Sequence, residues 1–288
     1  MKKFLSYTYT LTMLVLILSL TSCSSKKELN VMTFNIRLDA AVDSLNNWQY
    51  RKDVAAQIVQ QYDVDILGTQ EVLPNQLKDL LDRLPEYAAV GVGRDNGGTQ
   101  GEHSSLFFKK SRFRASDFGT FWLSDTPDVP SKGWDGAYPR IASWAILEDL
   151  VSKQSVFAIN THLDHIGVEA RIRGVELILK KAEILAKGLP IILTGDFNST
   201  PDSEIIRSIN TMGQKNALVN SRLVAAKVKD NVGTFHDFGR LALDELQYID
   251  YIFVSDSFKV NYYEVVPDKL HDIYLSDHNP VFARIAFK

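Results

Sequence analysis

Short apolar runs alternate with helix-period segments at both ends of this chain, and through its middle they follow one another without helices. That order is restrictive. A fully parallel sheet needs a crossover between successive strands, usually a helix, whereas an all-β sandwich needs none. Strand-type runs are read over 29–36, 64–70, 87–92, 105–108, 113–123, 141–147, 155–161, 191–195, 248–254, 259–266 and 280–287. Helical periodicity is read over 48–62, 75–84, 168–187 and 202–210. In the first helix Val54, Ala55, Ile58, Val59 and Tyr62 share a face. In the third Ile172, Val175, Leu179, Ala182 and Leu185 do so, and Gly188 and Pro190 stop it. Pro201 suits the first turn of the fourth. Early and late β–α–β pieces around a β-rich middle predict two packed sheets with helices on their outer faces.

No repeat, low-complexity tract or Pro/Gly/Ser-rich linker interrupts 29–288, so this stretch is read as one domain and the protein as a monomer. The N-terminus is different. Lys2 and Lys3 precede an uncharged stretch that runs to residue 25 and is nearly all apolar over 11–20, the shape of a secretory signal peptide over 1–22. Polar residues at 6–10 leave too short an apolar run for a membrane-spanning anchor, which needs about 20 residues. Leu20-Thr21-Ser22-Cys23 looks like a bacterial lipobox, which implies acylation of Cys23 and a polar tether over 23–28. The protein is then expected to be exported and held to a membrane by lipid, on the periplasmic side or the cell surface. Cys23 is the only cysteine, so no intramolecular disulfide forms and packing alone must hold the domain.

The formal charge is −3, and it becomes −5 once cleavage before Cys23 removes Lys2 and Lys3 but no acid. A sequence-independent binder of duplex DNA is ordinarily basic, so this balance argues against one. It leaves open a small phosphate ester held through a metal.

Polar residues recur where apolar runs end. Asn35 follows Val31-Met32-Thr33-Phe34, Glu71 follows Ile66-Leu67-Gly68-Thr69-Gln70, and His162 follows Phe157-Ala158-Ile159-Asn160-Thr161. Asp196 and Asn198 close Ile191-Ile192-Leu193-Thr194-Gly195, and Asp277 and His278 precede the last run. Singly, each has an ordinary explanation: a turn residue for Asn35, a solvated charge for Glu71, a satisfied core histidine for His162, an Asx-turn for Asp196-Phe197-Asn198. Together they point to one catalytic edge. Mg²⁺ prefers oxygen ligands and takes only one or two carboxylates, which suits Glu71 with Asp277 and Asn35. A carboxylate such as Asp196 can align and deprotonate a water. Asn198 lies two residues on and faces the same way in an extended segment, where it can contact the phosphate. A protonated His278 would offset charge on the phosphoryl oxygens. Asp250 is an acid inside the apolar run Tyr248-Ile249-Asp250-Tyr251-Ile252, so it needs a partner, and His278 is the candidate.

The ordered set Thr33-Phe34-Asn35-Ile36-Arg37, Thr69-Gln70-Glu71, Asn160-Thr161-His162-Leu163, Gly195-Asp196-Phe197-Asn198, Ile249-Asp250-Tyr251-Ile252 and Ser276-Asp277-His278-Asn279-Pro280 resembles the endonuclease/exonuclease/phosphatase family. The likeness runs from Asn30 to the C-terminus. It implies a four-layer α/β/β/α sandwich of two mixed sheets flanked by helices, of the DNase I-like kind. It implies metal-site roles for Asn35, Glu71 and Asp277, a water-orienting base in Asp196, a phosphate contact in Asn198, and a phosphate-facing His278 oriented by Asp250. His162 would be a second phosphate-facing histidine, and Glu102 would be the acid that orients it. Arg140 resembles a phosphate-binding arginine, a job suited to a planar, always-charged fork, with a surface salt bridge as its alternative. Asp164, His165, Glu169 and Arg171 are either pocket residues or the polar start of a helix. Trp122, Trp134, Tyr138 and Phe235 are candidates for stacking on a base or sugar.

The expected function is metal-dependent hydrolysis of phosphate esters, with Mg²⁺ as cofactor and Mn²⁺ as substitute. Phosphodiester or nucleic-acid cleavage ranks first, ahead of monoester or phospholipid cleavage of the sphingomyelinase or inositol phosphatase kind. The substrate classes are nucleic acid, nucleotide, phospholipid headgroup and sugar phosphate. The chain has neither a basic insertion for gripping duplex DNA nor a long hydrophobic hairpin for entering membranes. An inactive ligand-binding lipoprotein on the same scaffold is the competing reading.

Overall fold

The computed structural model describes residues 28–209, 217–230 and 233–288, so the expected signal segment and Cys23 lie outside the described residues. Its strands are β1 (Glu28–Asn35), β2 (Ile66–Gln70), β3 (Tyr87–Val90), β4 (Leu106–Lys109), β5 (Phe113–Trp122), β6 (Ile141–Asp149), β7 (Ser155–His162), β8 (Ile191–Asp196), β9 (Leu218–Asn220), β10 (Val228–Lys229), β11 (Asp250–Ser255), β12 (Phe258–Val265), β13 (Lys269–Leu270), β14 (Ile273–Tyr274) and β15 (Val281–Phe287). Its helices are α1 (Trp48–Gln61), α2 (Pro74–Arg83), α3 (Val168–Ala186), α4 (Glu204–Ile209) and α5 (Ser221–Val224).

A seven-stranded mixed sheet has the order β10-β12-β15-β1-β2-β4-β3, and a six-stranded mixed sheet has the order β5-β6-β7-β8-β11-β9. Two of the parallel pairs, β1–β2 and β7–β8, are joined by the long helices α1 and α3, which serve as crossovers, and the short β10 also pairs parallel with β12. Helices cover the outer face of each sheet, giving the α/β/β/α sandwich of the DNase I-like kind. Strand alternation builds it. Leu29 and Val31 of β1 join the core between the sheets, while Met32 and Phe34 join the core under α1 and α2. A third apolar layer packs Val175, Ile178 and Ala182 of α3 against Phe157, Ile159 and Leu193. Withdrawing one such large side chain from water contributes about 1.5–3 kcal/mol, so three apolar layers supply what no disulfide does.

Helix ends follow local chemistry. The Asn47 side chain accepts the Gln49 N–H at 3.2 Å to start α1. The start of α3 is capped from a distant loop, where Asp135 accepts the N–H groups of Glu169 (3.2 Å) and Ala170 (2.7 Å). Lys187 and Gly188 turn left-handed at its end, with φ of 51° and 84°. The small elements β9, β10, β13, β14 and α5, and the 3₁₀ turn Ala41–Asn46, have too few residues to show a period, and the sequence reading omits them. Among the described residues, no helix is long and apolar enough to cross a membrane.

Toward one end of the sandwich the filling between the sheets changes from apolar to polar. Gln70 Nε2 donates to Thr33 Oγ1 (3.0 Å) and Asn160 Oδ1 (2.7 Å), and Thr194 Oγ1 donates to the same Asn160 oxygen at 3.0 Å. Asn160 Nδ2 donates to the carbonyls of Thr69 (2.8 Å) and Ser105 (3.2 Å). Gly68 makes this close approach possible, because a Cβ there would stand 2.2 Å from Thr194 Oγ1 and 2.4 Å from Asn160 Oδ1. Buried polar groups with partners specify one register of sheet on sheet.

Candidate active site

Sheet pairing aligns the polar strand ends. Asp196 is paired across the sheet with His162 on one side and Asp250 on the other, and Asn35 ends β1 in the facing sheet. The Asn35 amide spans the gap, with its Nδ2 3.0 Å from both Glu71 Oε1 and Asp196 Oδ2 and 3.4 Å from His278 Nε2. His278 Nδ1 lies 2.9 Å from Asp250 Oδ2, so the acid in the apolar strand has its partner. His162 Nε2 stands 3.5 Å from Asp196 Oδ2 and 3.1 Å from Asn198 Nδ2. The Asn198 N–H donates to Asp196 Oδ1 at 2.9 Å, fixing that carboxylate. Arg37, Glu71 and Asn198 all have left-handed φ, at 56°, 60° and 46°, so backbone strain is concentrated at this edge.

Glu71, His162, Asp196, Asn198, Asp277 and His278 open into a cavity of about 670 Å³, which Arg37, Arg94, Glu102, Tyr138, Arg140 and His165 also line. Charges of both signs line it. Glu71 and Asp277 lie 3.8 and 3.7 Å from the Arg37 guanidinium, while Arg94 and Arg140 sit on the side of His162. Burial, and then the charge of Asp250, push Asp196 up to about 7. Burial opposes charge on His278, but Asp250, Asp196 and Asp277 outweigh it and push the imidazole up to about 10, so it is protonated at neutral pH. Burial, and then Arg140 and Arg94, hold His162 well below the usual range, so it is neutral. Burial acts to raise Glu71, yet the His278 charge, the Asn35 amide and the Leu38 N–H hold it below the carboxylate range. Burial and the neighbouring Glu71 raise Asp277.

Asp196, Asp250 and His278 present ligand atoms within 4.8 Å of one another. Within this group His278 Nδ1 and Asp250 Oδ2 already meet at 2.9 Å, which joins two of its members as a hydrogen-bonded pair. Glu71 and Asp277 supply the carboxylate oxygens that fit a hard divalent cation, while the Asn35 amide donates through Nδ2 to Glu71 and accepts the Arg37 N–H at 3.0 Å through its oxygen. The mutual repulsion of the two carboxylates is the kind that a cation relieves.

Other expectations are redirected. Glu102 does not hydrogen-bond His162. Arg94 grips it with two nitrogens at 2.7 and 2.8 Å, and His162 Nδ1 is buried without a partner. The bidentate match to a guanidinium is the stronger interaction for that carboxylate. Arg140 lines the cavity and also pairs with buried Asp164 at 3.3 Å, while its Nη2 lies 3.0 Å from His165 Nδ1. Tyr138 and Phe235 line the cavity. Trp122 is buried with its Nε1 on the Arg94 carbonyl, and Trp134 lies outside this cavity.

Arg51 was not anticipated. It is fully buried on α1 and donates to the carbonyls of Ile36 (2.8 Å), Leu275 (2.9 Å) and Asn46 (2.5 Å). It thereby ties the segment after Asn35 to the segment before Asp277 and His278. The signal was available, since Arg51 precedes Val54 and Ala55 by three and four positions and so lies on the apolar face of the helix.

The Endonuclease/Exonuclease/phosphatase family model matches residues 32–278, which include every residue of the cluster just described. The chain belongs to the endonuclease/exonuclease/phosphatase family. It is accordingly a hydrolase of phosphate esters, in a family whose enzymes generally use divalent metals. A family structure from Bacteroides vulgatus is 42% identical, with a TM-score of 0.87 over 91% of this chain and 100% of that one. A mannosyl-6-phosphatase of Bacteroides thetaiotaomicron is 39% identical, with a TM-score of 0.83 over 90% of this chain and 100% of that one. The CCR4-Not complex 3'-5'-exoribonuclease subunit Ccr4 of Saccharomyces cerevisiae is 24% identical over 84% of this chain but only 35% of its own length.

Proposed function

We propose that this family member is a Mg²⁺-dependent phosphomonoesterase acting on a sugar phosphate. The observation that carries this reading is a cavity lined both by the carboxylates Glu71 and Asp277 and by a wall of cations in the charged His278 and Arg140, which meets Asp164 through Nε. A monoester dianion carries more charge than a diester and gains more from such a wall. Likeness to the mannosyl-6-phosphatase adds support.

Glu71, Asp277 and Asn35 would hold the cation, which supplies Lewis-acid charge to a phosphoryl oxygen. Asp196, fixed by the Asn198 N–H, orients a water and takes its proton. The new P–O bond forms as the bond to the sugar oxygen breaks, and that oxygen leaves as an alcohol after taking a proton from solvent. His278 donates to a non-bridging oxygen as charge develops, while Asp250 keeps its ring oriented and protonated. Asn198 and Arg140 contact the phosphoryl group, and neutral His162 lies beside it.

Hydrolysis of p-nitrophenyl phosphate, bis(p-nitrophenyl) phosphate and mannose 6-phosphate, with Mg²⁺, Mn²⁺ or EDTA, tests this. Turnover of the two monoesters, lost with EDTA and in Asp196→Ala, is expected. Cleavage of the diester alone would replace the monoester reading with the phosphodiesterase one, which the exoribonuclease relative favours. The lipobox supports a further proposal, an exported protein anchored through acylated Cys23. Cys23→Ser should then move it from the membrane to the soluble fraction.

A further inference from the structure

The catalytic cavity does not end at its own rim. Asn198 and Gln247 line both it and a second cavity of about 340 Å³. Val168 and Ile172 line both that second cavity and a third of about 810 Å³, which continues along α3 past Trp134 to Lys180. Neighbouring cavities with shared lining residues thus form a trough that runs from the site along α3. Resting on the sugar-phosphate reading, we infer that this trough binds a neutral sugar chain to which the phosphorylated sugar is attached, so that the preferred substrate is a phosphorylated oligosaccharide and not a free sugar phosphate.

The lining of the trough favours that occupant. Val168 and Ile172 are exposed, at 55% and 37%, and the half-buried Trp134 ring stands beside them, giving apolar surface for the C–H faces of sugar rings. Trp134 is held there at a left-handed φ of 44°, which a bulky side chain adopts only when its surroundings impose it. Its Nε1 donates to Asp125 at 3.2 Å, and the Arg173 guanidinium lies 5.7 Å from its ring centre. Around this apolar strip stand Asp135, Glu169 and Glu176, which accept from hydroxyls but repel phosphates. The acids Asp135, Glu169, Glu176 and Glu204 outnumber Arg171, Arg173 and Lys180 along it, so the trough has no surplus of cations for a polynucleotide backbone. The charged rim also makes it a poor sleeve for an acyl chain.

The test compares kcat/KM for p-nitrophenyl phosphate, mannose 6-phosphate and a mannotetraose phosphorylated at C6 of its terminal sugar, in the wild-type domain, Trp134→Ala and Ile172→Glu. The tetrasaccharide is expected to exceed the monosaccharide by about tenfold, the scale of one aromatic contact. Both substitutions should erase that advantage and leave p-nitrophenyl phosphate turnover unchanged. Equal kcat/KM for the two sugars in the wild type, or an advantage that survives both substitutions, overturns the inference. If no monoester is turned over, the sugar-phosphate reading has failed, and calorimetric titration with unphosphorylated mannotetraose still decides the trough. Binding that Trp134→Ala abolishes upholds it. No binding, or binding of a short oligonucleotide instead, overturns it.

Discussion

Replacing Arg51 separates two jobs that one buried guanidinium performs. It donates to the carbonyls of Asn46, Ile36 and Leu275 and, at 3.4 Å, to that of Arg37, and each of the three shorter bonds from this charged donor is worth about 1.5–3 kcal/mol. Against them stands the cost of burying the charge. Burial pushes Arg51 down to about 10 from 12.5, and at 1.36 kcal/mol per unit that is roughly 3 kcal/mol. The difference leaves Arg51→Met destabilised by on the order of 3 kcal/mol. For a domain of this size that is a loss of roughly 6–12 °C in thermal midpoint. Activity should fall further than stability explains. Freeing the Ile36 and Leu275 carbonyls lets the Asn35 and Asp277–His278 segments move independently, and a misplacement of about 1 Å costs roughly 10²-fold in rate. Circular-dichroism melting and kcat on p-nitrophenyl phosphate, measured well below the midpoint, report the two effects. Arg51→Lys is the decisive companion. It keeps the charge but loses the planar fork, so it should resemble Arg51→Met in kcat. A lysine variant with wild-type kcat would refute the positioning role and leave only an electrostatic one.

Four other outcomes are expected. Asp196→Asn should lower kcat by at least 10³-fold with little change in melting, since it removes the base and keeps the shape. Because Asp196 must be ionised and is pushed up to about 7, wild-type kcat/KM should rise with pH along a limb at or below pH 7, where a bound cation lowers it further, and a flat profile from about pH 5 to 9 would exclude it as the base. Gly68→Ala should destabilise by about 2–4 kcal/mol in denaturant unfolding, because its methyl meets Thr194 and Asn160 across the sheets, and wild-type stability would mean that the polar layer yields. Burial alone would raise Asp164, but the N–H groups of Gly167, Ala137 and Ile166 and the Arg140 charge hold it below the carboxylate range. It therefore stabilises the fold above about pH 4 and ceases to as pH falls, so Asp164→Asn should be about 2 kcal/mol less stable at pH 7, with the gap closing in acid. A gap that does not vary with pH would show that the carboxylate charge plays no part.

The sequence by itself determined the longer strands, the apolar faces of the long helices and the polar ends of the strands, because period and side-chain polarity are local properties written along the chain. The need of Asp250 for a partner was legible for the same reason. Which groups meet was decided only by the tertiary structure. The Asn35 amide bridges residues 161 and 243 positions away, and strand order, which periodicity does not encode, brings them within reach. The same holds for Glu102, which a resemblance assigned to His162 and which the fold hands to Arg94. It holds equally for Arg51, whose carbonyl partners carry no side-chain signature, and for Gly68, whose lack of a side chain matters only because a second sheet arrives 2.2 Å from where its Cβ would stand.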